Sequence, residues 1–208
     1  MVRGVIFDMD GVLVDTESCY ASRRREFLLS KGMPYQDSWD FTGFNKQASW
    51  AVMVPEAGLR ERLIAEYDTG YCAKHPIPFA QLADPEARPL LQQLKAQGRK
   101  IGIASSSAAG AIERMAEALG IAGYVDFAVS GEDCPAHKPD PAVYLQALKG
   151  LGLAPGEALA VEDSPTGIQA AKRAGIFTLA LSAHCQGRDQ SEADAVIARL
   201  EDVLEFVT

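Results

Sequence analysis

After Pro85 the sequence alternates between short apolar runs and helical stretches, and this alternation restricts the fold more than any other feature. Strands separated by helices of about 10 to 15 residues form a parallel sheet, because each crossover places a helix against one face of the sheet. The sequence therefore predicts an α/β fold with a doubly wound, Rossmann-like parallel sheet. The predicted strands are 100–104, 126–130, 158–161, 176–181 and 194–198, and the predicted helices are 86–97, 108–119, 141–150, 165–174 and 199–207.

One further strand, at residues 2–8, is predicted far from this series. The long segment after it is largely helical, with Thr16 as the candidate N-cap of its first helix and a break at His75-Pro-Ile-Pro78. A helical domain inserted after the first strand is the simplest explanation of this order. We expect helices at 16–31, 46–54 and 58–73, a core formed by residues 1–14 and 86–208, and a small α-helical cap domain at residues 15–85.

The charge balance excludes several kinds of partner. The chain of 208 residues has 28 acidic and 20 basic side chains, for a net charge of −8. A protein of this charge repels nucleic acids and anionic lipids at long range. The one basic run, Arg23-Arg24-Arg25, is short and is interpreted as a solvated helix face. We expect no nucleic-acid partner and no membrane partner, whereas a small phosphorylated metabolite is compatible with a local binding site.

The cysteines and the N-terminal sequence predict a cytoplasmic protein. The four cysteines are widely separated, and none forms a C-x-x-C pair or has the spacing of a metal site with histidine. The N-terminal segment has no signal-peptide pattern, and no apolar run reaches the roughly 18 residues of a membrane span. Free thiols in a reducing compartment are therefore expected.

Polar side chains occur where the predicted core strands end. Asp8 and Asp10 follow the first strand, Ser105 follows the second, and Glu162-Asp163 follow 158–161. Ligands of open α/β sheets bind at the carboxyl ends of the strands, so we expect these groups to converge with Lys138. Any one of the acids alone fits a turn residue or a helix cap. Four adjacent carboxylates with one lysine require a cation, and all-oxygen ligands favour Mg²⁺ or Mn²⁺.

Four segments of this chain resemble the motifs of the haloacid dehalogenase-like (HAD) hydrolase superfamily. They occur in the family's order and span nearly the whole chain. The predicted cap matches the helical cap of the subgroup that resembles β-phosphoglucomutase and sugar phosphatases. The four segments are Asp8-Met-Asp10-Gly11-Val-Leu-Val-Asp15-Thr16-Glu17, Ala104-Ser105, Lys138-Pro-Asp-Pro141, and Val161-Glu162-Asp163-Ser164 continued by Gly167-Ile-Gln-Ala-Ala171.

The resemblance implies a role for each motif residue. Asp8 would be the nucleophile that forms an aspartyl-phosphate, and Asp10 would act as general acid and then as general base. One Mg²⁺ per chain, or Mn²⁺, would be held by Asp8, the backbone carbonyl of Asp10, Asp163 and Glu162. Phosphate-binding roles fall to Ser105, Ser106 and Lys138, and substrate specificity to Glu17, Gly43, Asn45 and Lys46 in and near the cap.

The function that follows is Mg²⁺-dependent hydrolysis of a small phosphate monoester, such as a sugar phosphate or a phosphoglycolate-like compound. A sugar phosphomutase is the first alternative. Against it, Tyr20 stands where the family's mutases have histidine, Lys46 where they have arginine, and Ser107-Ala-Ala109 where they have Ser, Lys and Asn. A non-catalytic phosphate-binding protein is the second alternative, but it predicts a broken motif, and all four are intact. We expect a monomer or a weak dimer.

Two of the cap positions have a simpler alternative explanation. For Glu17 the alternative is a first-turn acid that is favoured by the helix dipole. For Lys46 the alternative is a solvated lysine at the junction of a loop and a helix.

Overall fold

Six strands form one parallel sheet in the order β3-β2-β1-β4-β5-β6, which places β1 and β4 at its centre. This arrangement, seen in a computed structural model that describes residues 1–41, 44, 46–183, 185 and 187–207, confirms the α/β fold expected from the sequence. Every neighbouring pair of strands is parallel. The strands are β1 (Gly4–Phe7), β2 (Lys100–Ser105), β3 (Phe127–Ser130), β4 (Ala158–Glu162), β5 (Phe177–Leu181) and β6 (Ala195–Ile197).

Four helices cover the two faces of the sheet, as a doubly wound fold requires. Side chains of successive strand residues point to opposite faces. On β1, Val5 and Phe7 pack in one buried cluster with α6 and α7, whereas Ile6 packs in a second cluster with α8 and α9. These helices are α6 (Ala87–Ala96), α7 (Ala109–Ala118), α8 (Ala142–Leu151) and α9 (Pro165–Arg173).

The segment between β1 and β2 is helical and has a hydrophobic cluster of its own. Phe27 lies at its centre, with edge-to-face contacts to Trp50 at 6.0 Å and to Tyr67 at 5.2 Å between ring centroids. Aromatic pairs of this geometry add about 0.5 to 1.5 kcal/mol each beyond the area they bury. The helices are α1 (Glu17–Ser30), α2 (Lys46–Met53), α3 (Ala57–Glu66), α4 (Cys72–Lys74) and α5 (Phe79–Leu82). The domain limits at residues 14/15 and 85/86 remain a prediction.

Local structure differs from the sequence-based expectation at two places. The helix expected at 58–73 is interrupted by a π-helical turn at Tyr67–Tyr71, which places the Tyr67 ring in the aromatic cluster. The terminal helix expected at 199–207 is a 3₁₀ helix, Leu200–Phe206. Within the described ranges, every helix falls short of the length and apolar character that a membrane crossing requires.

The two chain connections that lead into and out of the helical segment lie side by side. Val14 and Ala83 form an antiparallel bridge. The Asp15 N–H donates to the carbonyl of Leu82 at 2.8 Å, and the Asp84 N–H donates to that of Leu13 at 3.0 Å. A hinge near residue 15 and at Pro76–Pro78 is expected from the sequence and remains a prediction.

We expect Asp194→Asn to destabilise the core in a pH-dependent way. Burial acts to raise the pKa of Asp194. Hydrogen bonds from Lys172 and from the Thr178 N–H, at 2.8 Å for the Thr178 bond, nevertheless hold this pKa below its usual value. A carboxyl group whose pKa is lower in the folded state than in the unfolded state stabilises the fold. This stability is present above the unfolded-state pKa of about 3.9 and is lost as the pH falls through the folded-state pKa.

The measurement is urea unfolding of both proteins. The variant should lose about 1 to 3 kcal/mol at pH 7, and the difference should shrink as the pH falls below 4. Glu61→Gln, at an exposed position of α3, is the matched control and should have no effect. A difference that is the same at every pH would contradict the assignment.

Candidate active site

A buried lysine joins the ends of three strands. The Lys138 ammonium donates to Oδ1 of Asp8 at 2.7 Å, to Oε1 of Glu162 at 2.5 Å and to the carbonyl of Ala104 at 3.1 Å. The strand register explains why these three groups lie together. Phe7 pairs with both Ile103 and Val161, so the next residues, Asp8, Ala104 and Glu162, lie side by side near the carboxyl ends of their strands. The Lys138 side chain is only 3% exposed, so the contacts with the two carboxylates are shielded from solvent.

Three buried carboxylates form a group that suits a hard cation. Asp8, Glu162 and Asp163 each offer an oxygen atom, and these atoms lie within 4.8 Å of one another. Arg188 donates to Asp163 at 3.3 Å from the loop after β5. An all-oxygen donor set of this kind fits Mg²⁺. Three of the four strand-end acids thus converge among the described residues.

Burial, with repulsion between the carboxylates, raises the pKa values of two of these acids. Burial raises the pKa of Asp8 to about 8, although the Lys138 charge acts in the opposite direction, and the Glu162 charge adds to the rise. Burial raises the pKa of Asp163 well above its usual range, and the charges of Glu162 and Asp8 act the same way. A divalent cation would stabilise the ionised forms of both groups.

Asp10 is held apart from this group by two hydroxyl donors. Thr16 Oγ1 donates to Oδ1 of Asp10, and Ser107 Oγ donates to Oδ2 at 2.7 Å. Thr16 stands at the expected N-cap position of α1, but its hydroxyl makes no capping bond, because Asp10 takes it. Burial raises the pKa of Asp10, against the effect of these two hydrogen bonds. A carboxyl group of this kind can carry a proton closer to neutral pH than an exposed one.

Two glycines allow the loops to approach the acids closely. Gly11 has φ of +83°, and a Cβ there would lie 2.3 Å from Oδ2 of Asp163. A Cβ on Gly167, in the first turn of α9, would lie 2.0 Å from Oε1 of Glu162. The Glu162 carboxylate occupies that space and accepts a further hydrogen bond from the Tyr144 hydroxyl at 2.6 Å. Four hydrogen bonds fix the position of the Glu162 carboxylate; they come from Lys138, Tyr144, the Asp163 N–H and Ser164.

The predicted phosphate-binding serines are placed differently from one another. Ser105 is fully buried, and its Oγ accepts from the Ser107 N–H at 3.0 Å. Ser106 and Ser107 line the cavity that lies above Asp8 and Asp10. This bond leaves the Ser105 O–H able to donate, but Ser105 is not among the residues that line the cavity.

The cavity has a volume of about 210 Å³ and lies between the strand ends and helices α1 and α2. Asp8, Asp10, Lys138 and Asp163 form the side contributed by the sheet. The opposite side is formed by five aromatic and four polar residues: Tyr20, Phe41, Phe44, Trp50 and Tyr67, with Glu17, Arg24, Lys46 and Ser49.

Of the predicted specificity residues, Glu17 and Lys46 line this cavity, whereas Gly43 and Asn45 lie outside the described residues. The Lys46 ammonium is not simply solvated, because it contacts Asp68 at 3.0 Å and Glu132 at 3.8 Å. Burial acts to lower the pKa of Lys46, but the hydrogen bond to Asp68 and the charges of Asp68 and Glu132 together outweigh it, and the net pKa is raised. Burial also raises the pKa of Glu17, and the Asp10 charge adds to the rise.

Several residues of the site are missed by reasoning from the sequence. Ser107 and Thr16 orient Asp10, Tyr144 orients Glu162, and Arg188 contacts Asp163. Only the position of Ser107, two residues after Ser105, indicates from the sequence that it belongs to the site. Nothing in the sequence marks Tyr144 or Arg188, because both reach the site from a helix or loop whose packing must be known first.

Comparison with known proteins settles the family. The sequence profile of the haloacid dehalogenase-like hydrolases matches residues 5–181, which is most of the chain. The chain is a haloacid dehalogenase-like hydrolase. The profile match covers all four motifs and the helical segment between β1 and β2.

Relatives of this hydrolase include named phosphatases. It is 32% identical to validoxylamine A 7'-phosphate phosphatase of Streptomyces hygroscopicus subsp. limoneus, over 98% of this chain and 96% of the relative. It is 31% identical to the phosphorylated carbohydrates phosphatase of Thermotoga maritima, over 99% and 98%. A β-phosphoglucomutase crystal structure from Clostridium difficile has a TM-score of 0.84 at 23% identity, covering 100% of this chain and 96% of that one, which supports the shared fold.

Proposed function

We propose that this hydrolase is a Mg²⁺-dependent phosphatase that cleaves a small phosphate monoester, a sugar phosphate or a phosphoglycolate-like compound, through an aspartyl-phosphate on Asp8. One observation carries the proposal: Asp8, held by Lys138, and Asp10, held by two hydroxyl groups, line the same cavity. A nucleophile and a separate acid that face one cavity suit in-line phosphoryl transfer. The phosphatase names of the full-length relatives support it.

The chemistry proceeds in two steps. A carboxylate oxygen of Asp8 attacks phosphorus, the ester P–O bond breaks, and Asp10 gives its proton to the leaving alcohol oxygen. Asp10, now ionised, then takes a proton from a water molecule as that water attacks phosphorus. The P–O bond to Asp8 breaks, and inorganic phosphate leaves. The hydroxyl groups of Thr16 and Ser107 hold the Asp10 carboxyl in one orientation through both steps.

Asp8, Glu162 and Asp163 are the side chains that would hold the metal ion, one Mg²⁺ per chain with Mn²⁺ as a substitute. The Asp10 side chain is committed to its hydroxyl partners, so the main-chain carbonyl is the ligand we assign to that residue. When bound, Mg²⁺ offsets the charge of the carboxylates and of the phosphoryl group. The phosphoryl oxygens are assigned to Lys138, Ser106 and Ser105.

Hydrolysis fits the described residues better than mutase chemistry. A mutase must hold a phosphorylated sugar in two orientations, which requires several polar side chains around the sugar. Here Ala108 lines the cavity beside Ser107, at the position where the family's mutases have lysine, and Lys46 is already paired with Asp68 and Glu132. A non-catalytic phosphate-binding role leaves the two hydroxyl donors on Asp10 without a purpose.

We expect the purified protein to hydrolyse p-nitrophenyl phosphate only when a divalent cation is present. Chelation with EDTA should abolish turnover, Mg²⁺ or Mn²⁺ should restore it, and Ca²⁺ should not, because Ca²⁺ favours a larger coordination number. Thermal unfolding should shift upwards with Mg²⁺, because binding to the folded state alone stabilises it. Turnover that is unaffected by EDTA would overturn the metal assignment, and the absence of any phosphate ester hydrolysis would overturn the proposed function.

A cytoplasmic location and a monomeric or weakly dimeric state are also proposed. All four cysteines, Cys19, Cys72, Cys134 and Cys185, are free thiols, which suits a reducing compartment. Light scattering during size-exclusion chromatography measures the mass of the protein and tests its oligomeric state.

A further inference from the structure

Tyr20 and Arg24 of helix α1 line the cavity, and they follow the N-cap residue Thr16 in sequence order. Thr16, Tyr20 and Arg24 are four residues apart, and residues at this spacing lie on one face of a helix. Thr16 contacts Asp10, and the Tyr20 hydroxyl lies beside Asp10 and Ser107. Each step of four residues advances about 6 Å along the axis. Arg24 is therefore placed beyond Tyr20, farther along the cavity from the reacting acids.

The basic run Arg23-Arg24-Arg25 is a solvated face only in part. Arg25 is exposed and contacts Asp37 at 3.1 Å. Arg24 lines the cavity instead, with its guanidinium 5.2 Å from the centroid of the Phe41 ring and 6.0 Å from that of Tyr20. The sequence-based interpretation is thus wrong for Arg24, because helical periodicity turns it about 100° away from its neighbour.

Arg24 is the less compensated of the two cations on the cap side of the cavity. Lys46 already contacts the carboxylates of Asp68 and Glu132. Among the residues that the structure describes, Arg24 has no ion pair within 4 Å, and its buried Nε has no hydrogen-bond partner. A guanidinium held between ring faces keeps its planar set of donors free for a bidentate acceptor.

We propose that Arg24 binds a second anionic group on the substrate, a carboxylate or a second phosphate, and so selects phosphate esters with an anionic leaving group. This inference rests on the proposed phosphatase function. The ester phosphate lies at Asp8, the leaving oxygen at Asp10, and the body of the leaving group against the aromatic side of the cavity. The second anionic group then contacts Arg24. The spacing of Thr16, Tyr20 and Arg24 along α1 corresponds to a leaving group of several carbon atoms. Lys46 is unsuited to this role because its charge is already paired.

The test compares substrates that share a carbon skeleton and differ in the charge of the leaving group. Fructose 1,6-bisphosphate is set against fructose 1-phosphate, and 3-phosphoglycerate against glycerol 3-phosphate, so that one pair carries the second phosphate and the other the carboxylate. Wild-type kcat/KM should favour the anionic member of at least one pair. In Arg24→Met this preference should fall by about 10- to 100-fold, mostly through KM, because a charge-assisted bidentate contact is lost.

Arg25→Met is the matched control, since it removes the neighbouring charge from an exposed position, and it should keep the wild-type preference. Arg24→Lys should recover part of the preference, and thermal unfolding reports whether each variant is folded. A wild-type protein that prefers the neutral members, or an Arg24→Met variant whose preference is unchanged, would overturn the inference. Hydrolysis of neither member of any pair, nor of p-nitrophenyl phosphate, would instead overturn the proposed function.

Discussion

Replacing Lys138 with methionine should both destabilise the protein and nearly abolish phosphate ester hydrolysis. Methionine keeps much of the length of the side chain, but it leaves Asp8 and Glu162 buried without their cation. Removing one partner of a buried ion pair costs about 3 to 5 kcal/mol. The same change removes a positive charge next to the nucleophile, for which we expect a fall in kcat of about 10²- to 10³-fold.

The destabilisation should depend on magnesium. Without Lys138 the carboxylates depend on the metal ion for compensation, so added Mg²⁺ should raise the unfolding temperature of the variant more than that of the wild type. Lys149→Met, at an exposed position of α8, is the control and should change neither stability nor turnover. Wild-type stability of Lys138→Met in metal-free buffer would show that Lys138 does not compensate these acids.

The second large effect is expected for Asp10→Asn, which should separate the two chemical steps. Loss of a general acid and base slows reactions by about 10²- to 10⁴-fold. p-Nitrophenolate leaves readily without a proton, so the first step with p-nitrophenyl phosphate should be slowed less than the attack of water. Stopped-flow absorbance should therefore show a burst of one p-nitrophenolate per enzyme, followed by slow turnover.

Asp37→Asn, which changes an exposed carboxylate of the cap, serves as the control and should behave as the wild type does. With a natural alcohol leaving group, the Asp10→Asn burst should disappear, because the first step then requires the proton. Equal slowing of both steps with both kinds of substrate would contradict the assignment of Asp10 as acid and base.

The sheet and the central acids follow from the sequence for one physical reason. The carboxyl ends of parallel strands lie at the same end of the sheet, so the polar residues after β1 and at the end of β4 must lie close together. The positions of Asp8 and Asp163 could therefore be predicted before any contact was known. Lys138 precedes α8 rather than following a strand directly, and its placement rested on the same convergence together with the family motif.

The cap side of the cavity could not be predicted in the same way. Its side chains take their directions from the aromatic cluster around Phe27, which forms only when several short helices pack together. Helical spacing alone does place Arg24 on the same face as Tyr20 and Leu28, four residues to either side, and this signal was available. Interpreting Arg23-Arg24-Arg25 as one solvated face overlooks that three consecutive residues of a helix point in three different directions.

Mass spectrometry of the acid-quenched Asp10→Asn variant can detect the phosphoryl group on Asp8 itself. After mixing with p-nitrophenyl phosphate and Mg²⁺, the peptide that contains Asp8 should carry one phosphoryl group, in an amount equal to the burst. The double variant Asp8→Asn/Asp10→Asn should carry none and show no burst. A phosphoryl group on another residue, or wild-type turnover by the single variant Asp8→Asn, would contradict the account.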